Sequence, residues 1–129
     1  MSTVRTALAP ASVPASPFYS PGVLVQGAQQ VVHVSGQVGH DAQGEPLEGV
    51  EAQTRQAVAH LHAVLAEAGM TGDDLVKLTI YLTDAADVPA FAAAAAGSLP
   101  TPPPATTMLV VAGLADPRLR VEIEAVAAR

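Results

Sequence analysis

The stretch "LVKLTIYLTD", Leu75 to Asp84, alternates apolar and polar residues along most of its length. In an extended chain Val76, Leu78, Ile80 and Leu82 point one way, and Lys77, Thr79, Tyr81 and Thr83 point the other. A strand of this kind has one face for a core and one polar face, so the sheet it joins is covered on a single side. Upstream, Val50, Ala57, Leu61, Val64, Leu65 and Ala68 recur at three- and four-residue steps, with Glu51, Arg55, His62 and Glu67 among the polar positions. This spacing predicts an amphipathic helix, ended by Gly69.

The remaining elements follow from local signals. In "GVLVQGAQQVVHVSGQVG", two β-rich runs, Val23 to Gln26 and Val31 to Gln37, flank a short glycine-containing connection and predict a hairpin. Asp87 before Val88 and Pro89 predicts a capped helix start, with an alanine-rich helix running to about Ala96 and Gly97 ending it. After the proline-rich "SLPTPPPAT" come "TTMLVVAG" and "RVEIEAVA", two strands joined by a turn at Asp116-Pro117. The order is ββαβαββ, an α+β arrangement in which two helices cover one face of a mixed sheet. Residues 1–17, rich in Pro, Ser and Ala, read as a flexible tail, and residues 18–129 as one domain. Too little chain follows the prolines for a second core, so they form a rigid loop that sets where the strand near Thr106 begins.

Composition narrows the function classes. The chain has 129 residues, half of them hydrophobic, but only 3% are aromatic. Large apolar anchors are scarce, and subunit association is expected to supply part of the burial, the bare sheet face meeting solvent or a partner. A net charge of −6 and scattered basic residues leave no electrostatic footprint for nucleic acid. The absence of cysteine removes thiolate and Cys-zinc chemistry. Pro10, Pro14 and Pro17 interrupt any apolar signal segment and no run is long enough to span a bilayer, so a soluble, cytoplasmic protein without membrane contact is expected.

Four pieces then coincide in order and spacing: "SGQVGHDAQGE" at a strand end, "YLTDAAD", "PPAT" before a strand, and the terminal "VEIEAVA". Together they resemble the RidA family, also called YjgF/YER057c/UK114, over roughly residues 17 to 129. The resemblance implies a chorismate-mutase-like fold, a homotrimer with small-molecule pockets in the clefts between subunits, and hydrolysis of reactive 2-imino acids and enamines to 2-oxo acids and ammonia. It implies neither a metal nor an organic cofactor. Within it, Tyr19, Ser35 and Gly36 look like pocket residues of the family, and Glu122 looks like the glutamate that positions the hydrolytic water.

One position departs from the pattern. Where the family reads Pro-Ala-Arg-Ser/Thr, this chain has Pro104, Ala105, Thr106 and Thr107, so a threonine replaces the arginine that clamps the substrate carboxylate; Met108 stands where many members carry cysteine. Two charge-assisted bonds become one neutral bond, a deficit of roughly 2–5 kcal/mol, or roughly 30-fold to several thousandfold in affinity. Arg120, two residues before Glu122 and on the same strand face, is a candidate replacement cation; its alternative is an ion pair with Glu122 or a rim carboxylate. The residue set for binding is thus Gly36, Thr106, Thr107 and Arg120, with Glu122, Tyr19 and Ser35 for chemistry. The competing reading is a non-catalytic metabolite-binding or regulatory trimer that keeps the cleft.

Other constellations carry less. His33, Ser35 and Gln37 alternate onto one strand face, which would set a histidine beside the pocket serine. His60 and His62 point to different sides of their helix, cannot share a metal, and read as surface residues. Glu122 and Glu124 share a strand face, either as an acid and base or as one pocket and one interface glutamate. The alanine-rich "AFAAAAAGSLP" implies a roomier pocket or weaker packing.

Overall fold

The computed structural model describes residues 2–129. Its strands are β1 Val4–Leu8, β2 Gly22–Gln26, β3 Val31–Val38, β4 Leu75–Leu82, β5 Ala105–Val110 and β6 Val121–Ala128; its helices are α1 Val50–Glu67 and α2 Val88–Ala95. The main sheet has the order β3-β6-β4-β5, with β6 antiparallel to both neighbours and β4 parallel to β5. The crossover through α2 makes the parallel β4–β5 pair. The crossover through α1 lands one strand further away and leaves a slot that β6 fills.

Both helices pack on one face. Leu75, Leu78, Ile80 and Leu82 of β4 and Val121, Ile123, Ala125 and Ala127 of β6 are buried beneath them with Ala57, Leu61 and Leu65 of α1 and Phe91 of α2. The intervening residues Lys77, Thr79, Tyr81, Glu122 and Glu124 lie half-buried on the bare face. The expected α+β architecture, with two helices on a mixed sheet, is therefore the one observed. A register shift between Leu75 and Lys77 puts Leu75, rather than Val76, in the core.

α1 ends where the sequence signals it. Gly69 takes φ +72°, and the N–H groups of Met70 and Gly69 reach back to the carbonyls of Leu65 and Ala66. This double bond pattern satisfies the last carbonyls and needs the left-handed backbone that glycine provides. At the other end, a Cβ on Gly39 would lie 2.2 Å from the Cα of Gln53, so the chain just past β3 runs directly against the α1 backbone. Gln53, almost fully buried, donates to the carbonyls of Leu47 and Arg118 and accepts from the N–H of Arg120. One amide thereby ties together α1, the loop before it and the entrance to β6.

At four places the structure departs from what the sequence predicts. The expected hairpin between residues 23–26 and 31–37 is absent as a ladder: β2 pairs with β1, and β3 pairs with β6. Val4–Leu8, assigned to the flexible tail, is consequently a strand, held by five residue pairs with β2 and by Arg5, which donates to the carbonyls of Asp73 and Ala128. Five residues of alternation are too weak a signal without the partner that completes them. Asp87 does not cap α2; Asp84 caps the preceding turn, and the Asp87 carboxylate is turned elsewhere. His60 is not a plain surface residue, because its Nδ1 meets the carbonyl of Val38 at 3.1 Å and its Nε2 meets Gln56 at 2.8 Å, so it tethers α1 to the end of β3.

Candidate functional site

The predicted residues fall into two groups at opposite edges of the sheet. At the β3–β6 edge, Glu122 projects from the bare face of β6 and its carboxylate lies against Gly36: a Cβ there would stand 1.8 Å from Oε2. Only glycine leaves that space. The register of β3 slips between Val34 and Gln37, so His33 and Ser35 stay exposed on the bare-face side while Gln37 pairs opposite the core residue Ile123. The expected row of His33, Ser35 and Gln37 on one face is therefore broken by a bulge at Ser35–Gly36. Among the described residues Glu122 has no hydrogen-bond or ion-pair partner, which leaves its oxygens free for water.

At the β5 edge, Ser20 anchors the proline-rich loop. Its N–H donates to the carbonyl of Pro104 at 3.2 Å, its hydroxyl to that of Pro103 at 2.6 Å, and it bridges Ala105 in parallel. Tyr19, one residue earlier and 40% exposed, is thereby placed beside the start of β5. Thr106 pairs opposite Leu78, on the core side of the sheet, and donates its hydroxyl to the carbonyl of Pro104 at 3.1 Å. Thr107 pairs opposite Thr79 on the bare face and accepts from Lys77 Nζ at 2.9 Å.

Arg120 is engaged within the chain. Its Nε and Nη2 take the two oxygens of Asp87 at 3.0 and 2.8 Å, a bidentate pair that ties the start of α2 to the entrance of β6. The sequence offers a carboxylate partner for Arg120 but not this one, because Asp87 is 33 positions away.

The family model described as endoribonuclease L-PSP matches residues 9–129. The chain belongs to the YjgF/RidA family. A RutC family protein of Aquifex aeolicus is 39% identical over 85 residues, covering 65% of this chain and 63% of its own length. A protein of Rattus norvegicus named 2-iminobutanoate/2-iminopropanoate deaminase is 36% identical over 86 residues, covering 65% of this chain and 58% of its own. The matched part thus spans less than two thirds of these curated relatives. The crystal structure of a Rid-family protein of Yersinia pestis superposes with a TM-score of 0.82 at 35% identity, covering 97% of this chain and 98% of that one.

Against that RidA framework, two further side chains on the bare face stand out. Tyr81 pairs opposite Glu122 in the β4–β6 ladder, yet its hydroxyl donates to Oε1 of Glu124. That bond, with burial and the charges of Glu124 and Glu122, raises the phenol above the ordinary tyrosine value. The alternation of β4 places Tyr81 on this face; its choice of partner is visible only in three dimensions. Two surface cavities, of about 230 Å³ beside His62 and Asp73 and about 270 Å³ beside Gln53 and Arg118, include neither Glu122 nor Thr106. Arg118, at the rim of the second, is held by Asp116 and Glu45, and its bonds keep the Asp116 carboxyl below the usual carboxylate range.

No helix among the described residues is long and apolar enough to cross a membrane.

Proposed function

We propose that this RidA-family chain is a cofactor-independent imine and enamine hydrolase whose clefts, in a homotrimer, take small substrates lacking the free carboxylate of a 2-imino acid. The observation that carries this reading is the Glu122 carboxylate, unpartnered among the described residues and seated against Gly36. In the proposed step Glu122 accepts a proton from water as the water oxygen adds to the imine carbon; the proton passes to nitrogen, and the carbinolamine collapses to a carbonyl compound and ammonia. An enamine joins the same route after protonation at carbon. Ser35 and the backbone at Gly36 border the Glu122 side of the cleft.

Tyr19 and Thr106 sit at the far edge of the same sheet, two strands from β6. A neighbouring copy is the natural source of that half of the site, which is why we place the cleft between subunits. The substrate preference follows from position 106. Thr106 carries no charge, its hydroxyl donates to Pro104, and Arg120 is paired with Asp87, so a substrate carboxylate finds no free cation from either. RNA cleavage is disfavoured by the net charge of −6 and by the pairing of Arg5, Arg118 and Arg120 with acidic residues.

The same uncharged 106 position favours a second reading, a metabolite-binding trimer without turnover. The test compares imines generated in situ by an amine oxidase and by an amino acid oxidase, following ammonia release. The hydrolase reading requires acceleration of the first, greater than of the second, and its loss in Glu122→Ala. No acceleration of either, with ligand-induced thermal stabilisation retained, would establish the binding reading instead.

A further inference from the structure

β6 carries two glutamates on its bare face, Glu122 and Glu124, about 7 Å apart along the strand. Either carboxylate is chemically able to take a proton from water. When both are ionised they repel, and each has the reach to enter the space the other occupies. The structure separates them. Glu122 turns toward β3, into the room left by the missing side chain of Gly36, and makes no hydrogen bond among the described residues. Glu124 accepts from the Tyr81 hydroxyl of β4.

Tyr81 makes this bond diagonally. Its direct neighbours in the ladders are Glu122 on β6 and Leu109 on β5, yet the phenol passes over the nearer glutamate to the one two residues on. The other charged or titratable groups on this face are engaged or remote: Lys77 donates to Thr107, and His33 pairs opposite Val126 toward the far end of β3.

Resting on the reading of Glu122 as the water-handling carboxylate, we propose that Tyr81 is a positioning residue that divides the two glutamates, holding Glu124 toward β4 so that Glu122 alone remains free beside Gly36. Releasing Glu124 would let a second carboxylate enter the Glu122 space, displacing the reactive one without unfolding the sheet. The role is through Glu124, not through contact with substrate.

The chain has two tyrosines and no tryptophan, so phenolate absorbance reports on these two side chains alone. The step that disappears in Tyr81→Phe is expected above the ordinary tyrosine range in the wild-type protein and back within it in Glu124→Gln. With the imine from an amine oxidase as probe, Tyr81→Phe should lower kcat about tenfold with KM little changed. The double variant Tyr81→Phe/Glu124→Gln should recover most of that loss, because the intruding carboxylate is gone; a purely structural tyrosine gives no such recovery.

An ordinary titration of Tyr81 in the wild-type protein would overturn the proposal whatever the activity. So would wild-type kcat in Tyr81→Phe, or a double variant no better than the single one. Absence of any hydrolysis by the wild-type protein would instead overturn the functional reading and, with it, the role of Tyr81 in turnover, while the titration would still decide whether Tyr81 holds Glu124.

Discussion

Thr106 and Glu122 project from opposite faces of one sheet: Thr106 shares the side of Leu78, whereas Glu122 lies across from Tyr81 on the bare side. In the proposed reading, a pocket containing both draws them from two copies of the chain. Restoring the missing charge at position 106 is the direct probe of that pocket. Thr106→Arg should raise the rate on 2-imino acids carrying a free carboxylate by roughly 30-fold or more, read as kcat/KM for imines from an amino acid oxidase. An unchanged rate would place the substrate carboxylate elsewhere.

Gly36 and Gly39 differ in what they face, and their alanine variants should differ accordingly. At Gly36 the new Cβ meets the end of the Glu122 side chain, which can swing aside; at Gly39 it meets the Gln53 backbone, with Cα at 2.2 Å and the carbonyl oxygen at 2.3 Å. Gly39→Ala is expected to cost about 3 kcal/mol or more by denaturant unfolding, while Gly36→Ala should cost about 1 kcal/mol or less and abolish Glu122-dependent turnover. Equal destabilisation by the two would refute the distinction.

The Arg120–Asp87 pair is structural. The Asp87 side chain is 10% exposed and that of Arg120 44%, so solvent screens the pair only in part. Arg120→Met should lower stability by about 1–2 kcal/mol, and a double-mutant cycle with Asp87→Asn should show coupling. A fall in kcat/KM with stability unchanged would return Arg120 to the ligand.

Alkaline stability should register Tyr81. Its folded-state value is raised above 10.0, chiefly by the hydrogen bond to Glu124. A group raised on folding contributes fully below its unfolded value and loses that contribution as pH rises through the folded one. The denaturation midpoint should therefore fall above about pH 10, and fall less in Tyr81→Phe. Parallel pH profiles for the two proteins would contradict the assignment.

The sequence by itself determined the repetitive, short-range features. The alternation of Leu78, Ile80 and Leu82, the helical spacing of Ala57, Leu61 and Leu65 and the stop at Gly69 each report on neighbours within a few residues, and each is found where it was read. The fold class followed, and so did the loop that Pro103 and Pro104 build before β5. Tertiary structure decided everything that depends on a partner distant in sequence. β1 exists because β2 lies beside it, Arg120 is taken by Asp87, a bulge at Ser35–Gly36 turns Gln37 out of line, and Tyr81 selects Glu124 over Glu122. Periodicity fixes which face a side chain takes, but a hydrogen bond spans only about 3 Å, and which group arrives within that distance is set by how the strands register against one another.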